Sequence, residues 1–448
     1  MSKFEQFRDP ELSLFQSAVD EVVARKTAGT QSQDTGGPGA ITRPDSSNSM
    51  VKMAVVEGKT VSVARQNGVA PPEPTPPVQT VTEGVGAQFS YCASLARNYA
   101  VAKIEGRTAD ATRYHDLLTE KMGDCDPDWI ETSIKYEEFL ASKGKIPYRV
   151  YKNIGDFVID GKLPDNARVA IVGDWGTGQA TAKTVLAQIA RKNPDVVIHM
   201  GDVYYSGTDF EMQNYFYNIW KESLDLTKTA TFTLSGNHDM FCGGAPYYKL
   251  IDQLGQPASY FCLRNDNWQF VAMDTGLHDN VPDGTVPTYL EDTELAWVTD
   301  KIQNRGGRRT VLLSHHQLFA SNEDICGQSV NPHLNQQVSP LLPNVDIWLW
   351  GHEHNLVLYQ KYLGVLARCI GHGAFPVGKS EIPGKLNFPD VPMLPVRLDL
   401  DSDGVFYNHG YAIMDLAGAS ATISYYQDTD ETTPQYTETL DAVATATS

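Results

Sequence analysis

The spacing of apolar residues divides the first third of the 448-residue chain into two parts. Residues 11–26 carry apolar side chains at helical spacing, and the Gly- and Pro-rich sequence that follows, as far as residue 88, favours extended or disordered chain. Residues 89–147 contain three more segments with helical spacing, each ending at or near a glycine. We therefore predict a short helix with a largely disordered linker over 1–88 and a helical accessory module over 89–147.

From residue 148 the pattern changes. Short β-branched apolar runs alternate with amphipathic segments of helical spacing, which predicts a layered α/β sandwich over 148–427. The last segment, 428–448, carries acidic residues and no Lys or Arg. Because such a sequence offers little apolar surface to bury, we predict that it is a flexible acidic tail.

Five of the apolar runs within 148–427 end at a side chain that can bind a metal ion. In chain order these side chains are Asp174, Asp202, Asn237, His315 and His352. Since the carboxyl ends of neighbouring strands in an α/β sheet meet at one crevice, we expect them at a single site. This set of oxygen and nitrogen ligands contains no thiolate and is larger than one four-coordinate zinc ion can use. It therefore predicts two metal ions bridged by a carboxylate. Such ligands accept Zn, Mn or Fe(II), so the divalent ion stays open.

Tyr205 lies three positions after Asp202 and suggests a ferric ion. A free phenol has a pKa of about 10, so a phenolate ligand near neutral pH is best supported by a strongly acidic ion such as Fe(III). Two Asp carboxylates and a phenolate bring three negative charges against five positive charges of a trivalent and a divalent ion. The remaining two positive charges suit a bridging hydroxide and an incoming phosphate.

The ordered motifs carry a family resemblance. GDWG (173–176), GDVYY (201–205), GNHD (236–239), SHH (314–316) and GHEH (351–354) resemble the motifs of the calcineurin-like metallophosphoesterase superfamily. The spacing GD-x-x-Y together with GDxG narrows the resemblance to purple acid phosphatases. It covers about 168–375 and implies a four-layer α/β/β/α sandwich, here preceded by an N-terminal helical extension.

The resemblance also implies roles for individual residues. It implies a ferric ion held by Asp174, Asp202, Tyr205 and His354, and a divalent ion held by Asp202, Asn237, His315 and His352. A metal-bound hydroxide would attack phosphorus, with His238 as phosphate contact or proton donor and Asp239 orienting the His238 ring.

Two histidines depart from the family pattern. The tripeptide His315-His316-Gln317 stands where many relatives have His-x-Pro. By alignment of the segment LLSH we assign His315 as the ligand and His316 as a substrate contact, with His316 as ligand the alternative. His372, in GHGA at 371–374, stands where relatives often carry a Gly-rich turn, and we predict that it contacts substrate.

The leading functional hypothesis is a binuclear metal-dependent phosphatase that hydrolyses small phosphomonoesters. The alternatives are a phosphodiesterase acting on cyclic nucleotides or glycerophosphodiesters, and a non-catalytic metal-binding scaffold. With 36 Lys and Arg against 55 Asp and Glu, the formal net charge of -19 disfavours generic nucleic-acid binding. No apolar run approaches the roughly 18 residues of a membrane span, and the charged N-terminus lacks the apolar region of a secretory signal. We therefore predict a cytoplasmic protein without a membrane partner; its oligomeric state is open.

Overall fold

The computed structural model describes residues 146–204, 206–279, 287–377, 388–402, 404 and 406–442. The predicted linker over 1–88, nearly all of the predicted helical module over 89–147, and Tyr205 lie outside these residues. Among the described residues, no helix is long and apolar enough to cross a membrane.

Two β-sheets form the centre of the fold. The strands of the described part are β1 Val158–Asp160, β2 Arg168–Val172, β3 Val196–His199, β4 Ala230–Thr233, β5 Phe261–Arg264, β6 Trp268–Ala272, β7 Arg309–Ser314, β8 Ile347–Trp350, β9 Leu356–Leu358, β10 Ala367–Ile370, β11 Gly410–Ala417, β12 Ser420–Gln427 and β13 Tyr436–Leu440. One sheet has seven strands in the order β1-β5-β6-β7-β8-β10-β9, and the other has six in the order β13-β12-β11-β2-β3-β4.

Helices cover the outer faces of both sheets. They are α1 Ala180–Arg191, α2 Asp209–Glu211, α3 Asn218–Ser223, α4 Asn237–Met240, α5 Ala245–Leu254, α6 Asp292–Gln303 and α7 Pro332–Val338; a π-helical turn, Met212–Tyr217, joins α2 to α3, and a 3-10 turn, Leu342–Asn344, follows α7. Helices α1, α3 and α5 pack on the six-stranded sheet. Helices α6 and α7 pack on the seven-stranded sheet. The two sheets share a third apolar core between them, so the predicted α/β sandwich with four layers is confirmed.

The five ligand-bearing runs form strands as predicted, but they belong to both sheets. Strands β2, β3 and β4 are parallel neighbours in the six-stranded sheet, whereas β7 and β8 are parallel neighbours in the seven-stranded sheet. Each of these strands is buried almost throughout, which explains their continuous apolar sequences. The candidate site therefore lies where the carboxyl edges of two facing sheets meet, and not at the edge of one sheet.

The C-terminal segment corrects a prediction. Residues 428–448 were expected to be a flexible tail, but Tyr436–Leu440 forms strand β13, which pairs antiparallel with β12. The sandwich therefore extends past residue 427. Tyr436–Leu440 has alternating burial, and its acidic residue Glu438 accepts hydrogen bonds from the buried Arg368. Because Arg368 lies far from Glu438 in the sequence, the composition of residues 428–448 could not show this pairing and indicated a solvated chain.

Candidate metal centre

Two groups of ligand-type side chains lie at the edge where the sheets meet. One consists of Asp174, Asp202 and His354, and the other of His315, His316 and His352. Within each group, one potential ligand atom from each residue lies within 4.8 Å of the others. The loops after β2, β3, β7 and β8 supply all six residues. The structure thus brings together the ligand-bearing strand ends as predicted.

Asp202 reaches both groups. Its side chain is 1% exposed, and Oδ1 accepts a hydrogen bond from the His238 backbone N–H at 3.1 Å. The other oxygen, Oδ2, lies 3.4 Å from His315 Nε2 and has no hydrogen-bond partner among the described residues. Since a buried carboxylate oxygen without a partner is costly, this position fits a bound cation.

The orientation of His315 supports a ligand role. Its Nδ1 lies 2.9 Å from the Met200 carbonyl oxygen, which can only accept, so Nδ1 carries the hydrogen. In the neutral ring, the Nε2 lone pair then faces Asn237 Oδ1 at 3.2 Å and Asp202 Oδ2. Burial lowers the pKa of His315, but the Asp202 and Asp174 carboxylates together with the Met200 carbonyl more than offset this and raise the pKa to about 10. The surrounding oxygens therefore favour positive charge, which a metal ion would supply.

His316 makes different contacts from His315, although the distances from its ring to the ligand atoms of His315 and His352 place it in the second group. Its Nε2 lies 2.8 Å from Asp279 Oδ2, and its Nδ1 lies 3.1 Å from Thr275 Oγ1. Both ring nitrogens are therefore used by hydrogen bonds to protein, and Asp279, as an acceptor, requires a hydrogen on Nε2. This geometry favours His315 over His316 as the ligand. Asp279 belongs to no motif and was not found by the sequence analysis.

The loop conformations that present the ligands are unusual. Asp174, Asp202 and His352 have positive φ angles of 54°, 74° and 65°, a left-handed conformation that is costly for residues other than glycine. Each directly follows a glycine, and hydrogen bonds hold the loops in place. Asp174 Oδ2 accepts the His352 backbone N–H at 2.9 Å, for example. Such strain at three candidate ligands is typical of a functional site.

Gly236 should be essential for this arrangement. A Cβ atom at position 236 would overlap Asp202 Oδ1 and lie 2.8 Å from the Asp202 backbone N. We expect Gly236→Ala to displace the Asp202 carboxylate, lower the bound metal and reduce kcat/KM by about 100-fold, the scale of a 1 Å misplacement. Metal analysis and steady-state kinetics would measure both effects. Gly155→Ala is the matched control, because nothing lies within 4 Å of its added Cβ; equal losses in both variants would refute this role for Gly236.

Asp239 makes hydrogen bonds that the sequence analysis did not predict. Its carboxylate accepts backbone N–H groups of Asp202 at 3.0 Å, Val203 at 3.0 Å and Gly236 at 2.7 Å. The residue therefore ties the loop after β3 to the loop after β4; that it orients the His238 ring stays a prediction. His238 itself is buried and packs against the rings of Tyr204 and Phe241, with centroids 4.6 and 4.7 Å away.

Tyr204 belongs to the site, a finding that the sequence analysis missed. Its hydroxyl donates to Asp174 Oδ1 at 2.9 Å and lies 3.0 Å from His354 Nε2. Burial, with the nearby Asp174 and Asp202 carboxylates, raises the pKa of Tyr204 well above its usual value. The motif GDVYY holds two adjacent tyrosines, and Tyr205, to which we assigned the ligand role, lies outside the described residues. Its ligation stays a prediction.

His372 lies at the same edge of the sheets, in the loop after β10. Its ring is 1% exposed, and neither ring nitrogen has a hydrogen-bond partner among the described residues. Burial and the neighbouring His409 lower the pKa of His372 to about 3. The ring is therefore neutral and packs beside Gly410; substrate contact by His372 stays a prediction.

The fold and the site together define an α/β sandwich with a candidate two-metal centre where its sheets meet. Residues 167–356 match the family model of the calcineurin-like phosphoesterases, so the chain contains a calcineurin-like phosphoesterase domain, and the resemblance inferred from the motifs is confirmed at this level. The match includes every candidate ligand described above and supports metal-dependent phosphoester hydrolysis.

Several solved structures are similar to the chain. GAP50, the anchor in the inner membrane complex of Plasmodium, is 17% identical over 62% of this chain and 90% of its own, with a TM-score of 0.43. A dimetal phosphatase from Danio rerio is 13% identical over 62% of this chain and 100% of its own, with a TM-score of 0.43. PhoD is 12% identical over 64% of this chain and 73% of its own, with a TM-score of 0.42. A comparison with curated proteins gives no match.

Proposed function

We propose that this protein is a binuclear metal-dependent phosphatase that hydrolyses small phosphomonoesters. The observation that carries the proposal is the position of Asp202. This buried carboxylate is a member of one ligand group and lies 3.4 Å from His315 of the other, and its Oδ2 has no hydrogen-bond partner among the described residues. A carboxylate shared by two closely spaced ions is the arrangement that two-metal hydrolysis requires.

The donor set suggests which residues would hold each ion. We assign one ion, Fe(III) in the purple acid phosphatase-like form, to Asp174, Asp202, Tyr205 and His354, and a divalent Fe, Zn or Mn ion to Asp202, Asn237, His315 and His352. Two such ions would supply Lewis acidity, lowering the pKa of a bound water and neutralising charge on the phosphate. Mixed carboxylate, amide and imidazole donors suit this range of metals.

The balance of charge leaves room for an anionic substrate. A trivalent and a divalent ion would bring five positive charges, and the Asp174 and Asp202 carboxylates with a Tyr205 phenolate would bring three negative charges, which leaves two positive charges for a bound hydroxide and the phosphate of the substrate. Phosphomonoesters and phosphodiesters are both anions, so the choice between them rests on the kinetic comparison below.

The chain itself supplies the groups that contact the substrate. We assign His238 to the phosphate or leaving-group oxygen, where its imidazole can donate a hydrogen bond or a proton. We assign His316 as a second substrate contact, which requires one of its ring nitrogens to exchange its hydrogen bond with Thr275 or Asp279 for one with the phosphate. Asp239 holds the loops that carry Asp202 and Gly236.

The test is a comparison of kcat/KM for a chromogenic aryl phosphomonoester and its bis-aryl diester, from acidic to mildly alkaline pH. The protein should be the full chain, with bound iron, zinc and manganese assayed. We expect a clear monoester preference. A diester preference would favour the phosphodiesterase alternative, and no turnover of either substrate with both metal sites filled would refute a general phosphatase and favour the scaffold.

A further inference from the structure

Glu323 faces the ring of His352, a candidate ligand of the divalent ion. Its Oε2 lies 4.0 Å from His352 Nε2, and the side chains of His352 and Glu323 are 19% and 17% exposed. The other face of the site is close by, since the ring centroid of His352 lies 4.4 Å from that of His316 and 5.2 Å from that of His315. The Glu323 carboxylate therefore lies beside the metal centre without belonging to either ligand group.

The chain holds Glu323 at this place from two sides. The buried Gln317 donates from Nε2 to Glu323 Oε2 at 2.9 Å. Gln317 is the last residue of the tripeptide that departs from the His-x-Pro pattern of many relatives. The loop that carries Glu323 is closed by an antiparallel bridge between Phe319 and Val330. Side chain and main chain thus both keep the carboxylate near His352.

His352 needs a group that orients its ring. Its backbone is fixed, with a φ angle of 65° and an N–H that donates to Asp174 Oδ2 at 2.9 Å. A neutral imidazole carries one hydrogen, and only the nitrogen without it can bind a metal ion. In metal sites the other ring N–H commonly donates to a carboxylate, which fixes the tautomer and the direction of the lone pair. Because Nε2 of His352 faces such a carboxylate, Nδ1 is the nitrogen that can bind an ion.

The distance between the two side chains is short enough for a hydrogen bond to form. An N–H···O bond spans about 2.7–3.2 Å, so a side-chain rotation that closes about 1 Å is sufficient. A charged acceptor gives a stronger bond and makes the ring a more basic ligand. Apart from Asp202, the ligands assigned to the divalent ion are neutral, so one more carboxylate close to that ion would raise its affinity.

We infer that Glu323 is a positioning residue for the divalent ion: it accepts the Nε2–H of His352 and leaves Nδ1 of that ring to the ion. The inference rests on the proposed two-metal function and deepens it, because it names a residue that sets the affinity of one of the two sites. In this role Glu323 touches neither ion nor substrate. Its removal should therefore weaken the binding of the divalent ion and leave the ion held by Asp174 and His354 in place.

The test is a titration of the metal-free full chain with Zn(II) in competition with a chromogenic chelator. The wild type should bind two equivalents. Glu323→Ala should bind one equivalent with wild-type affinity and the other about 10–100-fold more weakly. Glu323→Gln should recover most of the affinity, since its amide oxygen still accepts the Nε2–H. Asp324→Ala is the matched control, because it removes an exposed carboxylate from the adjacent residue, and it should bind both equivalents normally.

Two results of the titration would overturn the inference. One is wild-type affinity for both equivalents in Glu323→Ala, and the other is an equal loss in Asp324→Ala, which would trace the effect to the charge of the loop. A measurement on the wild type decides even if Glu323→Ala fails to fold. With ¹⁵N-labelled histidines and bound zinc, a ¹H–¹⁵N correlation spectrum should show His352 with its hydrogen on Nε2, assigned by comparison with His352→Gln. A hydrogen on Nδ1 would overturn the inference.

Hydrolysis of a chromogenic phosphomonoester separates this inference from the proposed function. It is measured on the same variants loaded with Fe(III) and Zn(II). Excess Zn(II) should restore most of kcat in Glu323→Ala, because the residue acts through occupancy of the site. If the wild type hydrolyses the ester and Glu323→Ala binds zinc normally, the role of Glu323 is wrong and the phosphatase proposal stands. If Glu323→Ala binds zinc weakly but the fully loaded wild type does not hydrolyse the ester, the role of Glu323 is supported and the phosphatase proposal fails.

Discussion

Replacement of Asp202 by Ala should release both metal ions and abolish phosphoester hydrolysis. The carboxylate is the proposed bridge, so its loss removes one ligand from each ion at once. We expect kcat/KM to fall by about three orders of magnitude or more, which corresponds to at least about 4 kcal/mol of transition-state stabilisation. Bound metal should fall from two equivalents towards none. Metal analysis after gel filtration and steady-state kinetics on one preparation measure both quantities.

Thermal unfolding would show that the loss arises from metal binding and not from misfolding. In metal-free protein, Asp202→Ala also removes the carboxylate that raises the pKa of His315 and that accepts the His238 N–H. We therefore expect the variant to unfold at a lower temperature than the wild type, but still in a single cooperative transition. Added metal should raise the unfolding temperature of the wild type, because a ligand that binds only the native state stabilises it. The variant should show little or no such increase.

Asp390→Ala is the control for removing a carboxylate, since Asp390 is exposed. It should keep both metal equivalents and full activity. Retention of two equivalents in Asp202→Ala would disprove the bridging assignment, and retention of one would limit Asp202 to a single ion.

The order of elements in the sandwich could be predicted from sequence because it depends on local patterns. Strands β2, β3, β4, β7 and β8 are short apolar runs, and each ends at a turn with a recognisable polar residue. Their division between two sheets depends on pairing over long sequence distances, such as that of β11 with β2. Strand β13 has too few apolar residues for its sequence to show that it completes a sheet.

The candidate site, like the fold, could be predicted from sequence only where it depends on local motifs. Residues that follow a strand within a short motif, such as Asp174 and His352, lie where the sequence indicated. Asp279 was missed because only the fold brings it within 2.8 Å of His316. Tyr204 was missed because its hydroxyl reaches Asp174 and His354 only through the backbone register between the loops after β2 and β3. Periodicity cannot determine that register.

The buried pair of Arg368 and Glu438 joins the two sheets, and removal of one partner should lower stability strongly. Arg368 lies on β10 of the seven-stranded sheet and Glu438 on β13 of the other. Arg368 Nε and Nη2 donate to the two carboxylate oxygens of Glu438 at 2.7 and 2.5 Å. The Tyr425 hydroxyl adds a third hydrogen bond at 2.7 Å. The Arg368 side chain is only 2% exposed.

We expect Glu438→Ala to lower the free energy of unfolding by about 3–5 kcal/mol, because it leaves a buried guanidinium without its counter-charge. Urea-induced unfolding followed by tryptophan fluorescence would measure the change. Glu431→Ala is the matched control, since it removes an ion pair at the surface. The side chains of that pair, Arg191 and Glu431, are 57% and 35% exposed. Exposed pairs contribute about 0–1 kcal/mol, so this variant should unfold close to the wild type.

A double substitution separates the net contribution of the ion pair to the free energy of unfolding from the loss caused by removing only one partner. In Arg368→Met with Glu438→Leu, no buried charge is left unpaired, and apolar side chains occupy the space between the sheets. Buried ion pairs replaced in this way often lose little stability or gain some. We therefore expect the double variant to recover most of the stability that Glu438→Ala loses. A double variant that is as unstable as Glu438→Ala would contradict this expectation. The loss of stability would then come from the missing hydrogen bonds of Glu438, which join β13 to the other sheet, and not from an unpaired buried charge.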